Sequence, residues 1–341
     1  MQNRILLLLI FIYTATRCTS QTLGGNAVFN FLTQPNTAQL SALGGINISS
    51  FGNDVGMAFH NPALLQRQMS RQVNTSFNAF IAGISHLTAA TALHLPGPGL
   101  NLGLGVQYLN YGSLVQTDAS GNILGNIRPN DYMIQVMVSR PYMERFRVGV
   151  TAKLIHSAYG NYRSSGIAAD IGLSYTDTTA MWQASVLVKN MGMQLKTYAA
   201  DGQKEELPFD IQAGISKKLA NAPIQFSLTA HHLHRLNIRY NDTAFNATEG
   251  DIRNNGLQKI FAHLVLSSQI YLSDFTELSL GYNFLRRQDL NVFGAGSGLN
   301  GFSCGAGILL RKLHIRYATG FYQQHMFHQF SLNFNFSGTP L

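Results

Sequence analysis

Residues 100–109, LNLGLGVQYL, decide the fold. Leu100, Leu102, Leu104, Val106 and Tyr108 are large and apolar, whereas Asn101, Gly103, Gly105 and Gln107 between them are small or polar. A helix would spread these residues over a 3.6-residue period, but a strand sends alternate side chains to opposite faces. A tilted strand of about ten residues crosses the hydrocarbon core of a bilayer. The stretch therefore predicts a membrane-crossing strand, apolar toward lipid and polar toward an enclosed lumen. Residues 146–154 repeat it, with Phe146, Val148, Val150, Ala152 and Leu154 set against Arg147, Gly149, Thr151 and Lys153. Residues 166–175 do so again, with Ile167, Ala169, Ile171, Leu173 and Tyr175 on the apolar side.

Working outward, fourteen such segments begin near Gln72, Ser85, Leu100, Tyr132, Phe146, Gly166, Met181, Phe209, Ile224, Lys259, Glu277, Gly301, Leu313 and His328. An even number of strands is what a closed bacterial barrel requires. Short links (95–99, 141–145, 176–180, 219–223, 273–275 and 311–312) interleave with longer ones (110–131, 157–165, 193–208, 235–256 and 286–298), except that the first and last hairpins, near Gly83 and Gln323, have short outer loops. That is the expected alternation of periplasmic turns and extracellular loops, and it places both termini in the periplasm. The last segment presents Phe330, Leu332, Phe334 and Phe336 on one face and should close the barrel. The predicted fold class is all-β: a fourteen-stranded antiparallel transmembrane outer-membrane β-barrel over 72–336, with an N-terminal plug or periplasmic segment over 21–71 and a C-terminal tail over 337–341.

Composition agrees with this reading. Of 341 residues, 45% are hydrophobic and 12% are charged, about half the charged share of a soluble domain. The 21 phenylalanines and 14 tyrosines argue against intrinsic disorder, which is poor in aromatics. Beyond the N-terminus there is no apolar run of about 20 residues, the length a membrane helix needs. A soluble sandwich would alternate too, but its outer faces would carry dense charge. Here the polar faces are mostly glycine, serine, asparagine and glutamine.

Residues 1–20 read as a signal peptide, with Arg4, an apolar run over 5–12 and the small-residue site Cys18-Thr19-Ser20. Its removal takes Arg4 and Arg17 away and leaves Cys304 as the one cysteine, so the exported chain forms no internal disulfide. Residues 21–71 do not alternate. A barrel of this size is too wide for side chains alone to fill, which suits a plug.

The run Ala42-Leu43-Gly44-Gly45, then Asp54, then Asn61-Pro62-Ala63 resembles the N-terminal region of the FadL-like long-chain fatty acid transporter superfamily. Within it the chain is most similar to the PorV/PorQ group of the type IX secretion system of Bacteroidetes. Gly24-Gly25-Asn26, Asn30-Phe31-Leu32 and the stretches 107–112, 207–212, 216–219 and 227–233 carry that similarity. The resemblance implies a fourteen-stranded outer-membrane barrel with an N-terminal plug, in which Asn61, Pro62 and Ala63 form the plug motif. It also implies a place in a cell-surface attachment complex. The partners would be a PorU-like peptidase, a PorV-like cargo carrier and a PorZ-like surface protein that engages the anionic lipopolysaccharide to which cargo becomes attached.

Motifs for chemistry are absent: no Gly-x-Ser-x-Gly, Walker loop, His-Glu-x-x-His or paired-cysteine pattern occurs. No catalytic residue, cofactor or metal is expected. His231, His232 and His234 invite a metal reading, but along a strand His231 points away from the other two, and interfacial polar residues are the better account. His325 and His328 are treated alike. Cys304, beside small residues, reads as a buried inert thiol. Lys153, Asp170, Lys189 and Asp210 fall on lumen faces, where they avoid the cost of charge in lipid; pairs that tie the wall to the plug are the favoured reading and a substrate path the sharper one. The outer loops are the candidate partner contacts, with Arg235, Arg239, Asn241, Arg253, Arg286 and Arg287 and 241–256 first among them. Dispersed basic residues and export exclude nucleic acid. The expected function is a non-enzymatic membrane anchor for a surface protein, with membrane lipid and anionic lipopolysaccharide as further contacts. A transporter of a hydrophobic small molecule is the alternative, and a membrane lipid deacylase lacks its nucleophile–histidine constellation.

Overall fold

The structure, a computed structural model, describes residues 27–80, 83–199, 202–238, 256–290, 298–322 and 325–336. The signal peptide, the residues 24–26 that contribute to the resemblance, and the 337–341 tail lie outside them. Sixteen strands are described: β1 (Gln72–Ala79), β2 (Ser85–Leu95), β3 (Leu100–Asn110), β4 (Leu114–Thr117), β5 (Ile123–Ile127), β6 (Asn130–Tyr142), β7 (Phe146–Tyr159) and β8 (Tyr162–Asp177) come first. They are followed by β9 (Trp182–Lys196), β10 (Asp210–Lys218), β11 (Ile224–Ala230), β12 (Leu264–Ser273), β13 (Thr276–Asn283), β14 (Phe302–Leu309), β15 (Leu313–Tyr322) and β16 (His325–Asn335). Fourteen form one closed antiparallel barrel in chain order, and β16 returns to β1 with Gln72 opposite Asn335 and Phe77 opposite Phe330. Only β4 and β5 stand apart, as a hairpin of their own. No described helix is long and apolar enough to cross a membrane.

Alternation sets which side chains face lipid. On β3, Asn101, Gly103, Gly105 and Gln107 are buried and Leu104, Val106 and Tyr108 are exposed. Aromatic rows mark both interfaces. At the short-turn end Phe146 packs on Tyr175 and Tyr175 on Trp182, each at 5.0 Å between ring centroids. Toward the long-loop end Tyr108 faces Tyr132, whose ring lies 4.9 Å from that of His156. From Phe146 to His156 along β7 is about 33 Å at 3.3 Å per residue, or about 25 Å once a tilt near 40° is allowed for. That is the apolar height of an outer-membrane barrel.

Three sequence expectations need correction. The tenth barrel strand starts at Leu264, and Lys259 instead lies in a helix, α3 (Gly256–Ala262), whose residues share no alternating face. The long link expected over 157–165 is a tight turn at Gly160 and Asn161, because β7 and β8 run past the bilayer as a paired extension. Cys304 is half-buried on the lipid side, between Ser303 and Gly305 of the inward row.

The N-terminal segment lies inside the lumen. It contains a 3-10 turn at Asn30–Thr33, α1 (Ala38–Ala42), α2 (Val55–His60) and further 3-10 turns at Pro62–Leu64 and Arg67–Met69. Local chemistry sets these short elements. Thr37 caps α1 by accepting from the Leu40 N–H, and Asp54 caps α2 by accepting from Gly56. The segment touches the wall all round: the Ala38 N–H donates to Ser331 on β16 at 2.6 Å, Asn47 donates to Ser267 on β12, and Ser49 bonds Ser216 on β10. Gln107 on β3 and Gln135 on β6 donate to the carbonyls of Phe31 and Phe59 at 2.8 and 3.0 Å. Its apolar side chains also fill space. Leu40, Leu43, Val55, Phe59 and Leu65 form one buried cluster with the inward residues Ala90, Leu109, Met133, Met137 and Ile155. The lumen is therefore less polar than alternation alone suggests, and each fully buried Leu or Ile contributes roughly 1.5–3 kcal/mol.

Candidate functional site

The four lumen charges named from the sequence are all buried on inward faces. Lys153 on β7 pairs with Asp170 on β8 at 2.7 Å, and its ammonium also donates to Asn190 Oδ1 at 2.8 Å. A bulge in the β8–β9 ladder places both Lys189 and Asn190 inward, with Asn190 at φ +56°. The Asn190 N–H then donates to Asp170 at 2.8 Å. Lys189 donates to His60 Nδ1 of α2 at 2.9 Å. Burial first, and then the Lys189 ammonium, hold the His60 imidazole well below its ordinary range, so it accepts as a neutral ring. Asp210 faces Lys189 across the β9–β10 ladder and accepts from Gln212 and from the His232 N–H, at 2.7 and 2.5 Å. The cluster mainly joins wall to wall, with His60 as its bridge to the N-terminal segment.

A second buried cluster lies nearer the short turns. Arg316 on β15 donates through Nε to Glu277 on β13 at 2.5 Å and through Nη1 to Asp54, the α2 cap. Asp54 also accepts from Asn74 on β1 at 3.0 Å. This cluster was absent from the sequence candidates. The same alternation finds it, because Leu313, Ile315 and Tyr317 take the lipid face and leave Arg316 inward.

The Asn61-Pro62-Ala63 motif is a corner. Asn61 accepts from the Ala63 N–H at 3.0 Å and donates to the Ile48 carbonyl at 2.8 Å, and Pro62 opens the turn where its missing N–H costs nothing. The corner rests on the wall where no side chain intervenes: a Cβ on Gly149 would lie 2.3 Å from the Pro62 carbonyl carbon. Gly149 is thus a seat for the motif.

At the long-loop end the expected partner residues divide. Arg239, Asn241 and Arg253 lie outside the described residues. Arg235 pairs with Glu206 at 3.3 Å. Arg286 and Arg287 belong to α4 (Phe284–Asp289); Arg287 donates to the Gly298 carbonyl at 2.7 Å. Arg286 turns inward, over the Tyr322 ring and toward the Gly44 carbonyl, so it serves the N-terminal segment. The histidines also depart from expectation. β11 ends at Ala230 and His232 has φ +54°, so strand alternation does not extend through 231–234.

Two features of this end were not singled out in the sequence. The β4–β5 hairpin presents Leu114, Val115, Ile123 and Leu124 at 47%, 60%, 74% and 62% exposure. Its base reaches Gly160, where an added Cβ would lie 3.3 Å from Ile127. A cavity of about 500 Å³ lies nearby, lined by Val28, Phe29, Tyr111, Asp131, Tyr159 and Tyr198 among others. The signal in the sequence was the Asp118–Asn122 turn with Leu114-Val115 before it and Ile123-Leu124 after it, but these short strands do not alternate and fall below membrane length.

No protein-family model matches the chain, and no curated protein sequence does. Among solved structures, the deltaS2 mutant of the TodX monoaromatic hydrocarbon channel is similar at a TM-score of 0.50, with 12% identity over 88% of this chain and 97% of that one. The CymD monoaromatic hydrocarbon channel is similar at 0.50, with 11% identity over 90% and 97%. At such identity the likeness is one of fold. The chain is a fourteen-stranded antiparallel outer-membrane β-barrel, built on the plan of these two channels.

Proposed function

We propose that the chain is a non-enzymatic, PorQ-like component of a type IX secretion attachment complex. Its long-loop end faces the cell exterior and holds a PorZ-like surface protein beside PorU-like and PorV-like partners, so that cargo is joined to anionic lipopolysaccharide. The β4–β5 hairpin carries this reading. Two paired strands alone have little stability in water, yet this pair keeps four large apolar side chains exposed. Adjacent residues of a strand point to opposite faces, so both faces of the hairpin carry exposed apolar side chains, and such surface marks an interaction site. Lipid tails are a poor cover for it, because the hairpin base meets Gly160, four residues beyond His156 of the aromatic row, or about 13 Å along the strand. The packed lumen suits an anchor, which needs no open path.

The second reading is an outer-membrane transporter of a hydrophobic small molecule. The fold shared with two hydrocarbon channels favours it, and so does the tyrosine-lined cavity, whose volume lies within the range of small-molecule sites. Affinity capture of the intact barrel from detergent-solubilised outer membranes, repeated with 114–127 replaced by a two-residue turn, separates the two. The anchor reading predicts a large surface protein that is recovered with the intact barrel and lost with the shortened one. Recovery of a bound fatty acid or hydrocarbon with no protein partner would instead establish the transporter.

A further inference from the structure

At the long-loop end of β10 and β11, three side chains of metal-ligating type converge: Asp210, His231 and His232 offer ligand atoms all within 4.8 Å of one another. We propose that they bind a divalent transition-metal cation, with Zn²⁺ as the natural probe. His231 continues the inward row of β11 and is fully buried, and its N–H donates to the His263 carbonyl at 2.9 Å. Adjacent residues of a strand point to opposite faces, and it is the left-handed φ of His232 that turns its ring back beside His231. Few residues without a glycine's freedom adopt that conformation, and it is held here by two contacts to β10. The His232 N–H donates to Asp210 at 2.5 Å, and the Leu233 N–H donates to the Ile211 carbonyl at 3.0 Å.

The spacing fits a small cation. His231 Nδ1 and His232 Nδ1 lie 2.6 Å apart, and His232 Nδ1 lies 3.9 Å from Asp210 Oδ2. The two rings are in hydrogen-bond contact. Tetrahedral Zn²⁺ with bonds of 2.0–2.1 Å sets its ligands about 3.3 Å apart, so the imidazoles would part by about 0.7 Å and the carboxylate close by about 0.6 Å to take the ion. Two imidazoles and one carboxylate form a borderline donor set that suits Zn²⁺ over Mg²⁺ or Ca²⁺. Among the described residues, the imidazole nitrogens His231 Nε2 and His234 Nδ1 have no hydrogen-bond partner, and the His234 ring lies 6.0 Å from that of His232, beside the cluster. His232 is part-exposed, which gives a cation a path from the long-loop side. A bound ion would pin the start of the β11–β12 connection to β10. This inference goes beyond the anchor reading and stands whether the barrel anchors a protein or moves a small molecule.

The test uses the full-length barrel purified in detergent without a histidine tag, with Zn²⁺ binding followed by competition against a chromophoric chelator. The proposal predicts one equivalent bound, weakened at least about tenfold in His232→Asn and in Asp210→Asn, since even removing a partner that merely orients a ligand costs 10–100-fold. Asparagine tolerates the left-handed conformation, and heat-modifiable gel mobility checks that each variant is a folded barrel. His325→Asn and His328→Asn, in the last hairpin, should bind like the parent. No stoichiometric Zn²⁺, or equal binding by folded His232→Asn, overturns the proposal.

Discussion

The two buried charge clusters look alike in sequence and do different work. Lys153, Asp170 and Asn190 join three neighbouring strands, and their partners arrive through ladder register and one bulge. Arg316 instead reaches from the wall into the segment inside it, pairing with Glu277 of the wall and Asp54 at the start of α2. One cluster holds the barrel to itself; the other holds its contents. Inward charge is thus a statement about sidedness, and which element answers it is decided by what fills the lumen.

Breaking each cluster should separate these roles. Arg316→Met leaves two buried carboxylates without their cation, and removing one partner of a buried pair costs about 3–5 kcal/mol. We expect the largest loss of stability here. Hydrogen exchange should rise in α1 and α2, while the fluorescence of Trp182, the chain's one tryptophan, reports a barrel that still forms. Lys153→Met leaves Asp170 with the Asn190 N–H, and we expect a loss of about 3 kcal/mol with exchange rising in β7–β9 and α1 unchanged. Equal exchange patterns in the two variants would erase the distinction.

Gly149→Val tests the seat of the Asn61-Pro62-Ala63 corner. Overpacking of this kind costs about 1–3 kcal/mol, and the lost protection should centre on 61–64. A smaller effect comes from pH. His60 stays neutral when folded, whereas the unfolded chain takes up a proton below its ordinary value of 6.5. The His60 contribution to stability is therefore constant above that pH and falls below it, by at most about 1.4 kcal/mol per pH unit. Urea unfolding at pH 7.5 and 5.5 should show a smaller difference between the two in His60→Gln than in the parent. The smallest structural effect is expected for Val115→Ser on the β4–β5 hairpin, within about 0.5 kcal/mol, although this variant should weaken capture of the surface partner.

Much of the barrel was legible because lipid imposes one simple demand, an apolar residue at every second position. Thirteen of the fourteen expected starts fall in or beside the observed strands, and Lys259 misled because the residues of α3 are also apolar in part. Lumen sidedness of Lys153, Asp170, Lys189 and Asp210 followed from the same rule. Their partners did not, since register depends on the bulge at Asn190 and on strand ends that no short window reveals. Pairing of Arg316 with Asp54 spans most of the chain, and only the folded segment brings the two together. His232 escaped alternation through a single backbone torsion. The β4 and β5 strands are four and five residues long and do not alternate, so the rule that found the barrel was silent on the hairpin.

The most direct test of the anchor is site-specific photo-crosslinking in intact cells, with the probe placed at Val115 on the hairpin and, for comparison, at Leu104 on the lipid-facing row of β3. The account predicts an adduct with one large surface protein from Val115 and lipid adducts alone from Leu104. Lipid adducts alone from both positions would contradict it.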